Sequence, residues 1–452
     1  MAEIPLIRHD RPDSVFAYLR GQPVSAAEFV REVRQLAQQL PDKSHILNLC
    51  ADRYRFAVGF SAALLRGQVS LLPPNYTQDF VAQLSRDYPG TYCLSDGETH
   101  FPAIQTVSYP ELRNQESSDD AAAFSVPRIP AAQCAALVFT SGSTGLPVAH
   151  EKSWGGLSAG SIAEAESLHI RQGSGLALLG TVPQQHMYGL ESTVLFAMQN
   201  GLALVAEKPF YPADICAQLA ALPQPRCLVT TPVHLRTLLS EVTDLPAVNF
   251  VLCATAPLPP KLAGEAESRF AAPLYEIYGC TEAGQVASRR TTQGLAWQLM
   301  RGIKLRQDEP GIGAQGGGTW VQGGHVEIAA PLSDVIELNA DGTFLLHGRT
   351  ADLVNIAGKR TSLSSLNHHL NAIEGVRDGV FMLPDDGEVS RTLAFVVAPG
   401  LSGAQVTQAL RARIDPVFLP RPLYFVDALP RNSTGKLMRE TLQQLLRQCA
   451  AK

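Results

Sequence analysis

Ala135-Ala136-Leu137-Val138-Phe139 runs directly into Thr140-Ser141-Gly142-Ser143-Thr144-Gly145-Leu146-Pro147. The apolar run has the length and composition of a buried strand, and a dense mixture of hydroxyl and glycine residues follows it. Glycines put no Cβ in the way, so backbone N–H groups and Ser/Thr hydroxyls at such a turn can wrap an anionic phosphate. Far along the chain, Pro430-Arg431-Asn432-Ser433-Thr434-Gly435-Lys436 offers one positive charge on a second loop. Each segment alone reads as an ordinary turn or solvated loop. Together they imply nucleotide chemistry divided between two parts of the chain. A P-loop does not account for them: Gly145 is followed by Leu146-Pro147 and Lys436 by Leu437, so the string Gly-x-x-x-x-Gly-Lys-Ser/Thr is absent.

Around the opening stretch, short apolar strands alternate with helix-period segments from about residue 45 to 280. Ile46–Cys50 precedes Tyr54–Arg66, Val69–Leu72 precedes Gln78–Tyr88, and Leu176–Val182 precedes Leu190–Gln199. Leu202–Ala206, a helix over Ala213–Leu222, and Cys227–Thr230 continue the pattern; then Leu235, Leu238, Leu239 and Val242 mark a core-facing helix stripe. That order predicts an α/β fold with parallel strands buried on both faces. Ligands of such sheets gather beyond the carboxyl ends of the strands, where Thr140–Pro147, Pro183–Gly189 and Tyr278–Glu282 all fall. After Trp297, frequent glycines punctuate short β-like pieces, which predicts a small β-rich subdomain. A compact α+β pattern resumes past Gly348, with helices near Ser364–Ile373, Ala404–Ile414 and Leu437–Gln448 and strands Leu393–Val397 and Leu423–Val426. The expected domains are therefore 1–348 and 349–452, with Lys436 in the second.

The 452 residues, 45% hydrophobic and 17% charged, exceed what one core organises. The eight cysteines form no Cys-x-x-Cys pair, which argues against a disulfide framework or zinc site. His368-His369 lack a third ligand at suitable spacing. The charged start and the absence of eighteen uninterrupted apolar residues predict a cytoplasmic protein without a membrane span. From Arg349 onward 13 Lys+Arg stand against 9 Asp+Glu, giving +4; with −5 for the whole chain, residues 1–348 carry −9. A relatively basic C-terminal part suits an acidic partner. No basic run with interleaved aromatics points to nucleic acid.

These residues, in this order, resemble the adenylate-forming superfamily of acyl- and aryl-CoA synthetases, acyl-carrier-protein ligases and luciferases. Thr140–Pro147 is similar to its phosphate loop, and Tyr278-Gly279-Cys280-Thr281-Glu282 to its Tyr-Gly-x-Thr-Glu motif. Asp334 with Gly348-Arg349 resembles the ribose-binding segment, and Pro430–Lys436 the catalytic-lysine loop. The resemblance implies a large N-terminal domain and a small mobile C-terminal one. Its activity is ATP- and Mg²⁺-dependent conversion of a small carboxylic acid, aryl or medium-chain, to an acyl-adenylate, then transfer to the thiol of CoA or of an acyl carrier protein. It also implies roles: Lys436 bridging carboxylate and α-phosphate, Thr281 on the α-phosphate, and Glu282 on Mg²⁺. Thr140, Ser141, Gly142, Ser143, Thr144 and Gly145 would hold phosphates, with Tyr278, Gly279, Asp334 and Arg349 on adenosine. His186, Tyr188, Ala254, Thr255 and Ala256 would surround the acid, and Gly358, Lys359 and Arg360 would face the incoming thiol.

Two positions depart from the pattern. Most relatives carry Lys where this chain has Val148, leaving His150 or Lys152 to supply a phosphate-side charge, and Ala351 stands at the usual hinge position, followed by Asp352. These departures motivate a second reading, a non-catalytic module that binds an acyl-adenylate or a carrier protein. Glu282, Asp334, Arg349 and Lys436 weigh toward an acid–thiol ligase.

Overall fold

The computed structural model describes residues 2–73, 75–99, 101–112, 124–141, 147–308, 318–349, 353–356, 359–383, 391–432, 435 and 437–450. Strand Cys134–Ser141 lies within a six-stranded sheet. It pairs antiparallel with Pro147–Ser153 on one side and parallel with Val69–Leu72 on the other, and His45–Asn48, Thr91–Ser95 and Gln105–Ser108 continue in parallel. Helices Arg53–Leu65 and Gln78–Asp87 make the crossovers. Asp52 and Thr77 cap them by accepting from the Arg55 and Phe80 amides.

Nine strands form a second sheet. Leu274–Cys280, Phe250–Cys253, Arg226–Thr230, Ala177–Gly180, Ala203–Val205 and Val15–Leu19 run parallel, and antiparallel strands border them on both edges. Ala177–Gly180, Arg226–Thr230 and Phe250–Cys253 are buried throughout, as expected of a sheet covered on both faces. The alternating pattern thus serves two sheets, and the second recruits Val15–Leu19 from upstream of the region in which the alternation is legible. Arg53 stitches the carboxyl ends of two neighbouring strands: its fully buried guanidinium donates to the carbonyls of Gly180, Val182, Val205 and Glu207.

The helix expected over Leu190–Gln199 begins earlier and is not uniform. It starts at Met187–Gly189, widens to a π-helix over Leu190–Leu195 and returns to α over Phe196–Asn200. Apolar periodicity carries no sign of that widening. Downstream, the glycine-punctuated region folds into an antiparallel sheet of Ile303–Gln307, Thr319–Gly323 and Val326–Leu332, followed by the pair Asp334–Leu338 and Phe344–Arg349.

The C-terminal part has the strand pair Leu353–Ile356 and Lys359–Ser362, helix Leu363–Asn371, and a three-stranded sheet of Asp378–Met382, Leu393–Val397 and Leu423–Phe425, with helices Gly403–Arg411 and Arg439–Ala450. Among the described residues the apolar clusters fall either at or before Leu346 or at or after Val354. The fold is the expected one: a large α/β part with a small β-rich portion, then a smaller α+β part. All eight cysteines are free thiols. No helix among the described residues is long and apolar enough to cross a membrane.

Candidate active site

In the hairpin that flanks the phosphate-loop segment, Val148 pairs with Thr140, His150 with Val138 and Lys152 with Ala136. Alternation puts these residues on one face. Opposite that face lies the turn joining Leu274–Cys280 to Gly284–Arg289, which carries Thr281 and Glu282. His150 Nε2 is 3.0 Å from Thr140 Oγ1 and 3.8 Å from Glu282 Oε1, and Lys152 Nζ donates to the Glu282 carbonyl at 2.5 Å. Burial lowers the His150 pKa against the opposing pull of Glu282. Gly284 has φ +78°, and a Cβ there would lie 2.7 Å from Glu191 Oε1, so the turn closes only with glycine.

Beneath the turn is a polar layer in which Glu164, Glu191, Ser192 and Gln285 are buried, Lys152 is half-buried and Glu327 is exposed. Lys152 faces Glu191, Cys280, Glu282 and Glu327; burial pushes the ammonium down and these groups pull it back, Glu191 foremost. Burial likewise raises the Glu191 carboxyl, which Lys152 opposes. Ser192 Oγ donates to Glu164 at 2.6 Å and accepts from Gln285 at 2.8 Å, and burial raises the Glu164 pKa to about 8. Ser153 Oγ donates to Glu327 at 2.6 Å. Glu164 and Glu191 had no place in the sequence reading. The signal available for Glu191 is a lone charge between Leu176 and Glu207 in a run of strand- and helix-forming residues.

On the nucleoside side, the Tyr278 hydroxyl donates to Asp334 Oδ2 at 2.8 Å, joining two residues far apart in sequence. The Tyr278 ring is flanked by Trp297 and Phe344, at centroid distances of 5.6 and 5.7 Å. Arg349 pairs with Asp334 through the backbone register of its strand. On the side expected for the acid, His186 caps the short helix Met187–Gly189, its Nδ1 accepting from the Tyr188 amide at 3.3 Å. Tyr188 is buried, and its hydroxyl donates toward the Thr230 and Leu252 carbonyls at 3.2 and 3.1 Å. Ala254 is buried and Ala256 half-buried just past strand Phe250–Cys253. Between them Thr255 holds φ +81°, a left-handed conformation that costs a β-branched residue about 1–3 kcal/mol. Such strain concentrates at functional sites.

Lys436 lies outside the described residues, as do Gly142, Ser143, Thr144, Gly145, Gly358 and Ala351; so do the side chains of Ser141, Arg349 and Arg360. The neighbour of Lys436 is placed. Gly435 has φ +78°, and a Cβ on it would come within 2.9 Å of Val233 Cγ2 and 3.7 Å of Thr231 Oγ1. Thr231 and Val233 begin helix Pro232–Glu241, beyond the carboxyl end of Arg226–Thr230. Arg431 donates to the Gly435 carbonyl at 2.8 Å and grips Asp378 through two 2.9 Å bonds. Arg236, on that helix, approaches the same Asp378 carboxylate at 3.4 Å. Lys359 pairs with Asp415 at 2.5 Å.

The donor set fits a nucleotide-borne Mg²⁺. Glu282 keeps 33% of its side chain exposed beside the phosphate-loop hairpin. Among the described residues no three His, Cys, Asp or Glu side chains could hold a metal by themselves. One carboxylate plus substrate phosphates is the usual way of holding Mg²⁺.

The family model "AMP-binding enzyme" matches residues 8–322, and "AMP-binding enzyme C-terminal domain" matches 370–436. The 4-coumarate-CoA ligase 2 of Narcissus pseudonarcissus is 26% identical over 396 residues, covering 77% of this chain and 69% of that protein. Coverage of curated relatives ranges from 62% to 87% of their length. Among solved structures, ATP-bound MatB from Rhodopseudomonas palustris superposes with TM-score 0.81 at 19% identity over 97% of both chains. The o-succinylbenzoate CoA synthetase of Bacillus subtilis, in complex with its acyl-adenylate intermediate, does so with TM-score 0.81 at 19% identity over 98% of this chain and 99% of that one.

Proposed function

The chain belongs to the AMP-binding enzyme family of adenylate-forming ligases, and we propose that it joins an aromatic or medium-chain acid to the pantetheine thiol of CoA or an acyl carrier protein in the cytoplasm. A carboxylate oxygen attacks the α-phosphorus of ATP, and the bond to the bridging oxygen of pyrophosphate breaks. The thiol sulfur then attacks the acyl carbonyl; its proton is lost and AMP leaves. The observation that carries this reading is the seat of Gly435 against Thr231 and Val233. It brings the loop bearing Lys436 to the strand ends where a ligand of such a sheet collects.

Each residue then has a task. Lys436 offsets charge that builds as two anions meet, an electrostatic role of the kind that dominates such steps. Thr140 and the loop to Gly145 hold phosphates, Thr281 takes the α-phosphate, and Tyr278 fixes Asp334 for the ribose hydroxyls. His186 attends the carboxylate and thiol entrance, while Ala254, Thr255 and Ala256 leave room for a flat ring. Mg²⁺, with Glu282 as a ligand, would neutralise phosphate charge. Residues 349–452 are taken to turn relative to 1–348 about residues 349–352, withdrawing Lys436 and presenting Gly358, Lys359 and Arg360 to the thiol. An aromatic acid is favoured because curated relatives include ligases named for 4-coumarate, hydroxybenzoate and indoleacetate.

Pyrophosphate release over a panel of aryl and alkyl acids tests the reading, with mass analysis of products formed with CoA or holo-carrier protein. Release should be strongest with an aryl acid, and one acceptor should become acylated. No release with any acid would favour the non-catalytic module that the half-exposed Val148 motivates.

A further inference from the structure

Val148 leaves the phosphate-side charge to His150 or Lys152, and the geometry separates these two. Lys152 is committed: its Nζ donates to the Glu282 carbonyl at 2.5 Å, and it is hemmed in by Glu191 and Glu327. His150 stands in front of it, between the Thr140 hydroxyl and the Glu282 carboxylate. Gly284, at the far end of the turn, packs on Glu191, the carboxylate that most strongly holds Lys152. Lys152 thus grips the turn at Glu282, and Glu191 lies under its far end at Gly284.

We propose that Lys152, bonded to the Glu282 carbonyl, is a positioning residue that sets Glu282 for the metal accompanying ATP, with His150 holding the phosphate-loop hairpin to the same carboxylate. No lysine within the loop is then needed to register the two segments. With its own carbonyl held by this half-buried ammonium, Glu282 keeps its side chain in a narrow range of directions. Groups that orient a metal ligand in this way are commonly worth 10–100-fold in metal affinity. The inference rests on the assignment of Glu282 to the metal, and its test separates the two.

Mn²⁺ binding, followed by electron paramagnetic resonance in the presence of a non-cleavable α,β-methylene ATP analogue, is the direct readout. Lys152→Met alone leaves Glu191 buried without its cation and invites misfolding, so the working variant is Lys152→Met/Glu191→Gln, with thermal unfolding as the control. It should weaken Mn²⁺ by about 10–100-fold while still unfolding cooperatively, and His150→Ala should weaken it less. Lys152→Arg should restore part of the loss. Added to Glu282→Gln, the double change should cost nothing more, because residues acting through one group are not additive. An unchanged Mn²⁺ affinity in the double variant, or full additivity with Glu282→Gln, overturns the proposal. Unchanged affinity in Glu282→Gln itself instead removes Glu282 from the metal and takes the inference with it.

Discussion

The hairpin-and-turn site is built within the larger part of the chain, whereas the Gly435 loop comes from the smaller part and rests on the larger, and the two are held in different ways. Around Glu282, contacts run inside the larger part of the chain: the half-buried Lys152, the buried carboxyls Glu164 and Glu191 beneath it, and Gly284, whose positive φ closes the turn. The Gly435 loop is fixed within its own part by Arg431 and Asp378, and among the described residues it meets the larger part at Gly435 against Val233 and at the 3.4 Å approach of the partly exposed Arg236 to Asp378. Cradle contacts join elements of one part of the chain, whereas these cross from one part to the other. An enzyme that must supply a charge for one step and remove it for the next needs this division.

Removing the charge tests the contrast most severely. Lys436→Ala should lower adenylate formation by about 10²–10³-fold, in line with the loss of one preorganised electrostatic group, while thiol transfer from a supplied acyl-adenylate stays near wild type. Equal loss of both half-reactions would erase the distinction between cradle and loop. Gly435→Ala comes next. Its Cβ would press on Val233 in a left-handed backbone, a penalty of about 1–2 kcal/mol. Adenylation should fall roughly tenfold with thiolation spared, as stopped-flow measurement of each half-reaction would show. Arg236→Ala should move the balance only a few-fold, since partly exposed ion pairs contribute about 0.2–1 kcal/mol. The change should appear as slower adenylation with an unaltered unfolding temperature.

Much of this arrangement was legible beforehand. Apolar runs such as Ala135–Phe139, Val69–Leu72 and Cys227–Thr230 mark strands that the fold contains, and the hydroxyl–glycine and Thr-Glu strings fall beyond strand ends. Sequence pattern could not separate one sheet from two, because alternation of strand and helix reads the same whichever sheet receives the next strand. The π-helix at Leu190–Leu195 leaves no trace for a related reason: all six residues are buried, polar Glu191, Ser192 and Thr193 included, so no exposed face marks the register. Lys152 and Glu191 come from elements far apart in the chain, and only tertiary packing brings both beneath the same turn.

The carboxylate layer beneath the turn yields the smallest effect, one confined to stability. Burial raises Glu164 from 4.5 to about 8, so the folded protein holds a proton there that the unfolded chain gives up above 4.5. The sign is the reverse of an ordinary ion-paired carboxylate: the contribution is fully present below 4.5 and declines as pH rises toward 8. Glu164→Gln cannot ionise, and its carbonyl can still accept from Ser192. The variant should therefore gain on wild type in unfolding temperature from pH 5.5 to pH 8, while adenylation at fixed pH stays unchanged. A constant gap across that range would mean that Glu164 keeps its charge when folded, and that the layer under the cradle is wetter than its burial implies.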